Sequence, residues 1–282
     1  MYRYFYDELE KWEKEGAPKP LLVIGARQVG KTHVIDQFCK EKYDDYVRIN
    51  LESQPEYLSV FEETLVPEKL LRNIGMLLGR RLDEHTTILI DEIQQSERAI
   101  TSLKYFCESD KPYRIIGAGS LLGVKIKRFG SSFPVGKVFL KYLYPMSFFE
   151  FLCACGEELM LEGITDAYKR KKAMPQGLHE KACALYHDYL YVGGMPEAVA
   201  SYVAGGCNPM AVNADFYSSL KTMYLADMTK YTISAAEGVK ITEVFASVPR
   251  QLSRENPKFK YKEIRPYGSK RDFSSSVDWL VA

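Results

Sequence analysis

One octapeptide limits what this chain can fold into more than any other stretch. Gly25-Ala26-Arg27-Gln28-Val29-Gly30-Lys31-Thr32 fits the pattern G-x-x-x-x-G-K-[ST] and directly follows the apolar run Leu21-Leu22-Val23-Ile24. Such a run reads as a strand covered on both faces, as parallel sheets require. The glycines let successive backbone N–H groups curl around a di- or triphosphate, Lys31 reaches its outer oxygens, and the Thr32 hydroxyl is suited to Mg²⁺. A helix over 31–40 aims its positive end at the same anion. Gly25, Ala26, Arg27, Gln28, Val29, Gly30, Lys31, Thr32 and His33 are therefore expected to cradle a nucleotide.

Hydrolysis needs a second element, and Thr87-Ile88-Leu89-Ile90-Asp91-Glu92 has the form of a Walker B strand. Asp91 falls at the carboxyl end of an apolar strand, where ligands bind in open α/β sheets, and is placed to hold Mg²⁺ through water. Glu92 is the expected general base for the attacking water. An acidic pair in this position can also be a helix N-cap with a solvated neighbour; its place downstream of the phosphate loop favours the chemical role. A third strand, Tyr113-Arg114-Ile115-Ile116-Gly117-Ala118-Gly119-Ser120, ends in small residues and a hydroxyl. Ser120 is expected beside the terminal phosphate as a sensor or water-orienting group, a role compatible with capping the next helix.

The order of these elements resembles that of the bacterial and archaeal AAA-type ATPases that carry a C-terminal nuclease-like domain of unknown function. Four further stretches carry the resemblance: Ser132-Phe133-Pro134-Val135-Gly136-Lys137-Val138, Leu143-Tyr144-Pro145-Met146-Ser147-Phe148-Phe149-Glu150-Phe151-Leu152, Tyr191-Val192-Gly193-Gly194-Met195-Pro196-Glu197-Ala198 and Asp227-Met228-Thr229-Lys230. It implies an α/β fold, with a mostly parallel sheet in a P-loop NTPase core, then a helical lid and a winged-helix-like segment ahead of the nuclease-like region. It also implies ATP and Mg²⁺ as ligands. In related ATPases the G-x-P turn packs against the base, which makes Met195 and Pro196 expected adenine neighbours; a plain helix-helix corner is the other reading.

This chain departs from the family pattern at three places. Lys137 stands where many relatives have an arginine that can act as a finger on a neighbouring subunit's nucleotide, and a compact ammonium lacks the planar fork that grips phosphate twice. Glu197 stands where many lids have an arginine that touches the γ-phosphate. The chain stops at Trp279-Leu280-Val281-Ala282 without Gly, Asn or a basic residue to close a helix, which leads to the expectation of a shortened chain lacking the nuclease-like region.

Composition narrows the alternatives. A chain of 282 residues, 46% hydrophobic, can bury a sizeable core and is long for one domain. The net charge of +1 provides no global field toward nucleic acid or membrane. The charged start Met1-Tyr2-Arg3-Tyr4-Phe5-Tyr6-Asp7-Glu8 is unlike a signal peptide, and no apolar run reaches the ~18 residues of a membrane span. The six cysteines include one close pair, Cys153 and Cys155, whose spacing matches no zinc site. A reduced, cytoplasmic setting is expected.

Strand 46–50, helix 68–81, helix 96–109 capped by Ser96, and a last core strand 138–143 complete an alternating strand-helix pattern. The aromatic face Phe148, Phe149, Phe151 and Leu152 reads as core. The expected division is 1–155 as the P-loop ATPase core, 156–236 as the helical lid and 237–282 as a winged-helix-like segment. In the last, Lys258, Lys260, Lys262, Lys270 and Arg271 form a mild basic excess that permits a DNA partner and equally fits protein packing. The expected activity is ATP hydrolysis: Lys31 on the phosphates, Thr32 and Asp91 on Mg²⁺, Glu92 as base, Ser120 as sensor and Lys137 as a finger in a homo-oligomer. A nucleotide-gated interaction or DNA-binding switch with little turnover is the alternative. A small-molecule kinase is disfavoured, because no second acid marks an acceptor site.

Overall fold

All strand pairings in the sheet are parallel, and their order puts the fourth strand between the first and the third. The computed structural model describes residues 1–16, 19–120, 133–230, 232, 234–256 and 258–281; Ser132 and Ala282, which belong to two of the stretches above, lie outside these residues. The strands are β1 (Leu21–Ile24), β2 (Tyr46–Asn50), β3 (Thr87–Asp91), β4 (Ile115–Gly119) and β5 (Phe139–Tyr142), in the order β2-β3-β4-β1-β5. β1, β3 and β4 are buried at every position, whereas β2 alternates at the sheet edge. Register aligns Ile24 with Gly119 and Asp91 with Ala118. The carboxyl ends of β1 and β3 therefore flank β4 and leave above it the crevice in which open parallel sheets bind ligands.

Two helical layers cover the sheet. α1 (Phe5–Lys14) and α2 (Lys31–Lys42) lie on one face, where Phe5, Leu9, Trp12, Val34, Ile35 and Phe38 join Leu21, Val23, Leu89 and Ile116 in one cluster. α3 (Glu56–Glu63), α4 (Pro67–Leu78) and α5 (Glu97–Glu108) supply the other face, packing with Leu22, Ile24, Ile49, Ile88, Ile90 and Ile115. Alternate strand residues thus feed opposite clusters, as the pleat dictates. Pro67 opens α4 and Gly79, at φ +69°, closes it. The Ser96 hydroxyl caps α5 by accepting from the Ala99 amide at 3.1 Å.

Beyond β5 the chain is helical, with α6 (Phe148–Ala154), α7 (Glu158–Arg170), α8 (Gln176–Val192) and α9 (Pro196–Ala204). The aromatic face of α6 is core only in part: Phe151 and Leu152 are buried, Phe148 is half-buried with its ring edge-on to Tyr186, and Phe149 is exposed; Phe151 lies against Tyr202, and each of these two ring pairs has centroids 5.1 Å apart. Residues 1–212 form one compact unit and residues 213–282 a second. The second consists of α10 (Ala214–Lys230), α11 (Ala235–Leu252) and α12 (Lys270–Val281), with Ile241, Val244, Phe273 and Trp279 buried inside it. Among its described residues there is no strand. No helix of the described residues is long and apolar enough to cross a membrane.

Leu22 is fully buried in β1, between the sheet and the α3–α5 layer. Leu22→Ala is expected to cost about 2–5 kcal/mol, seen as a lower urea midpoint with an unchanged slope.

Candidate active site

The loop after β1 is shaped by two left-handed residues, Gln28 at φ +62° and Gly30 at φ +90°. Gly30 tolerates that backbone freely because it has no Cβ. Gly25 is required by crowding instead: a Cβ there would sit 2.3 Å from the Leu143 carbonyl oxygen. Gly30 then leads into α2, whose first residue, Lys31, is 6% exposed. Lys31 Nζ donates to the carbonyls of Gly25 at 2.9 Å and Ala26 at 2.8 Å, which places the ammonium inside the mouth of the loop. Burial pushes it down to about 8, against the upward pull of Glu92 and Asp91. His33 is exposed in the first turn of α2.

Asp91, 2% exposed, ties the phosphate loop to β3. Its Oδ2 accepts from Thr32 Oγ1 at 3.1 Å, from Arg48 Nη2 at 3.0 Å and from Asn50 Nδ2 at 3.5 Å, and its Oδ1 accepts from the Glu92 amide at 3.1 Å. Glu92 itself adopts φ +50°, unusual for a side-chain-bearing residue and of the kind that gathers at functional sites. Gln94, in the 3₁₀ turn Ile93–Gln95, donates its amide to the Glu92 carboxylate. Ser120 follows β4 at the same edge; its hydroxyl is buried and has no hydrogen-bond partner among the described residues.

The turn expected near the base also lies against the loop. Pro196 opens α9, and its Cγ is 3.5 Å from where a Cβ on Gly30 would be. Met195 is the residue before it. The turn is fixed by the Met146 amide, which donates to the Gly194 carbonyl at 2.6 Å, and by Tyr189 Oη, which donates to the Met146 carbonyl at 2.9 Å. A Cβ on Gly194 would sit 2.2 Å from that same Met146 oxygen, so this position needs glycine for close approach. Lys137 is not with this group. It precedes β5 at the amino ends of the strands and pairs with Glu108 at 3.1 Å, both half-exposed.

Arg3, Glu150, Arg48, Asn50 and Gln94 were absent from the expected site. Arg3 and Glu150 form an ion pair at 3.0 Å with each side chain 7% exposed. Arg3 also donates to the Val29 carbonyl of the phosphate loop at 2.9 Å and to the Tyr144 carbonyl at 2.6 Å. Glu150 closes a capping box with Ser147 and accepts from the Tyr4 amide at 2.9 Å. Ser147-x-x-Glu150 was a visible cap signal; nothing local in the sequence pointed from Glu150 to a residue near the amino terminus.

Residues 17–152 match the family model of the AAA domain, and residues 183–282 match a domain of unknown function. The chain therefore carries an AAA-type P-loop domain, as the resemblance implied. No curated protein matches it. Among solved structures it is similar to a Walker-type ATPase of Pyrococcus abyssi, at 14% identity and TM-score 0.57, covering 99% of this chain and 89% of that one. It is also matched at 12% identity to AMPPCP-bound DnaA from Aquifex aeolicus, at TM-score 0.40 over 100% of this chain and 89% of that one. A further match, again at 12% identity, is Drosophila ORC bound to DNA, at TM-score 0.43 over 97% and 84%. The first of these shares the fold.

The side chains fit a magnesium nucleotide. A hydroxyl and a carboxylate 3.1 Å apart are hard oxygen donors of the kind Mg²⁺ takes one or two at a time, and the loop amides at the start of α2 suit phosphate. Among the described residues no group of three His, Cys, Asp or Glu offers an all-protein metal cage.

Two outcomes follow for the protein without nucleotide. Arg3→Met leaves Glu150 buried and unpaired and is expected to cost about 3–5 kcal/mol, whereas Arg3→Met with Glu150→Gln costs less than Arg3→Met alone, because the remaining acid is neutral. Chemical denaturation of wild type and the two variants checks this. Lys31 has its folded value below its unfolded one, so the folded state is penalised below pH 8, and the penalty fades as pH rises from about 8 toward 10.5. Wild type should therefore gain stability relative to Lys31→Met, which has no amine to titrate, as pH rises from about 8 toward 10.5 in thermal melts.

Proposed function

We propose that this protein binds ATP with Mg²⁺ at the loop of residues 25–33 and hydrolyses it to ADP and phosphate. The observation that carries the reading is the hydrogen bond from Thr32 Oγ1 to Asp91, which joins the end of the phosphate loop to the end of β3 with Glu92 next in sequence. Lys31, protonated at neutral pH, would neutralise the outer phosphates from within the loop mouth. Glu92 would take the proton of the attacking water, held in place by the Gln94 amide, and the unpartnered Ser120 hydroxyl would turn to the terminal phosphate or that water. Thr32 and Asp91 would hold Mg²⁺, which would supply charge stabilisation to the phosphates when bound. Met195 and Pro196 would flank the base, a role supported by the nearness of Pro196 to the loop.

A nucleotide-gated switch is the second reading, favoured by the Gln94 amide on Glu92, which occupies the carboxylate a base must keep available. In either case the second unit is the proposed route to a partner. Arg254 and Arg265 are paired with Glu263 and Glu243, and Lys258, Lys260, Lys262, Lys270 and Arg271 are the basic groups proposed for DNA phosphates. Lys137 reads as a surface charge on the strength of its pair with Glu108; a finger role would need a homo-oligomer and release of that pair. A cytoplasmic location is part of the same proposal and accords with the six free cysteines.

Phosphate release and nucleotide binding, measured with and without duplex DNA, test the reading. Lys31→Ala should lose nucleotide binding, while Glu92→Gln should keep ATP bound and turn over about 10²–10⁴ times more slowly. Equal turnover by Glu92→Gln and wild type would remove Glu92 as base, and wild-type turnover that appears only with DNA would favour the switch.

A further inference from the structure

We infer that Arg48 is a built-in counter-cation for Asp91 that competes with the divalent metal, so that it sets how much Mg²⁺ nucleotide binding requires. The inference rests on the nucleotide reading above. Arg48 lies on β2, the edge strand, two residues before Asn50, which is registered opposite Asp91. Its Cα partner is Leu89, and Leu89 packs in the cluster that holds the buried side of α2, so the face of β2 that carries Arg48 is the face toward the phosphate loop. The guanidinium is 3.0 Å from Asp91 Oδ2, the oxygen to which the Thr32 hydroxyl also donates.

Arg48 and Asn50 donate to Oδ2, and the Thr32 hydroxyl is shared between Oδ2 at 3.1 Å and Oδ1 at 3.3 Å, so the carboxylate is crowded on its Oδ2 side. A metal-bound water directed by Asp91 competes with these donors for the carboxylate. Asn50 is the weakest donor, at 3.5 Å, and removing it would release little. Arg48 is the donor that matters, because it brings a full positive charge to the acid the cation needs. Its side chain is 41% exposed while Asp91 is 3% exposed, so the guanidinium can leave toward solvent and the carboxylate cannot follow. The other charged groups near this carboxylate are Glu92, the next residue, and Lys31, whose ammonium responds to both acids.

The test is a titration of Mg²⁺ against a fixed concentration of a fluorescent ADP analogue, reading bound nucleotide and not turnover. Arg48→Gln and Arg48→Ala should lower the Mg²⁺ concentration for half-maximal binding about three- to tenfold, the range of an ion pair with one exposed partner. Arg48→Lys keeps the charge without the planar fork and should fall between wild type and Arg48→Gln. A melt of each variant without nucleotide confirms that it is folded; if Arg48→Gln is not, Arg48→Ala carries the comparison. An unchanged half-saturation in the neutral variants overturns the inference while leaving the nucleotide site intact. A raised half-saturation also overturns it, and makes Arg48 a phosphate contact. Wild type that binds no analogue at any Mg²⁺ concentration overturns the nucleotide reading and this inference together.

Discussion

A loop that turns its amides inward around an anion turns carbonyls outward, and those carbonyls must find donors in a buried place. This constraint organises the site. Gly25 and Ala26 give their carbonyls to Lys31 Nζ, Val29 gives its carbonyl to Arg3, and Gly30 receives the Val34 amide as α2 begins. The cost of leaving any one of them unmade is a desolvated acceptor, about 1–3 kcal/mol. Three of the four are met by two cations, Lys31 and Arg3, which have themselves been taken out of water. Arg3 recovers that loss through Glu150; Lys31 has no counter-charge at bonding distance and pays in its acidity, down to about 8. An anion at the loop gives Lys31 the counter-charge it lacks, and this asymmetry between the two buried cations is a physical reason for the loop to bind phosphate.

Asp91 is the second node. It joins α2, β2 and β3 through one carboxylate, receiving Thr32 from α2, Arg48 and Asn50 from β2, and the Glu92 amide that follows β3. The sheet order makes this possible. With β4 set between β1 and β3, Thr32 and Asp91 approach each other across the crevice, while β2 at the edge brings Arg48 and Asn50 from the far side.

Much of this was legible in the sequence where the signal was local. The phosphate loop is contiguous, its strand is an unbroken apolar run, and Ser96 and Ser147 cap helices with partners three residues away. The strands at 21–24, 46–50, 87–91 and 115–119 follow from β-favouring runs that the sheet then buries. α1 carries Phe5, Leu9 and Trp12 at helical spacing, but a ten-residue helix with only three buried positions and no side-chain cap gives a weak local signal. α3 is short and carries its apolar residues in one turn and a half. Arg3 with Glu150, and Arg48 with Asp91, could not be read at all. These pairs span 147 and 43 residues, and nothing in a single sequence says which distant charges meet. Lys137 shows the converse: a basic residue at a motif position, whose neighbour in space, Glu108, is an ordinary surface acid.

The Arg3–Glu150 pair also decides what could move as one piece. Glu150 is held at once by Arg3, the Tyr4 amide and the Ser147 cap, so the segment 144–150 cannot shift without the amino-terminal residues. Met146 within that segment is bonded to Gly194 and Tyr189, so the turn before α9 travels with it. Arg3 reaches the loop through a single carbonyl, that of Val29, and Pro196 faces it across the open space beside Gly30, near enough to touch a Cβ there if Gly30 had one. The connections inside this assembly are therefore many and charged, while those from it to the loop are few. A ligand that changes the backbone at Val29 and Gly30 meets its least resistance at that junction, and any response in α9 would arise as a rigid shift of residues 144–150 with the 193–196 turn, not as a local unwinding of either.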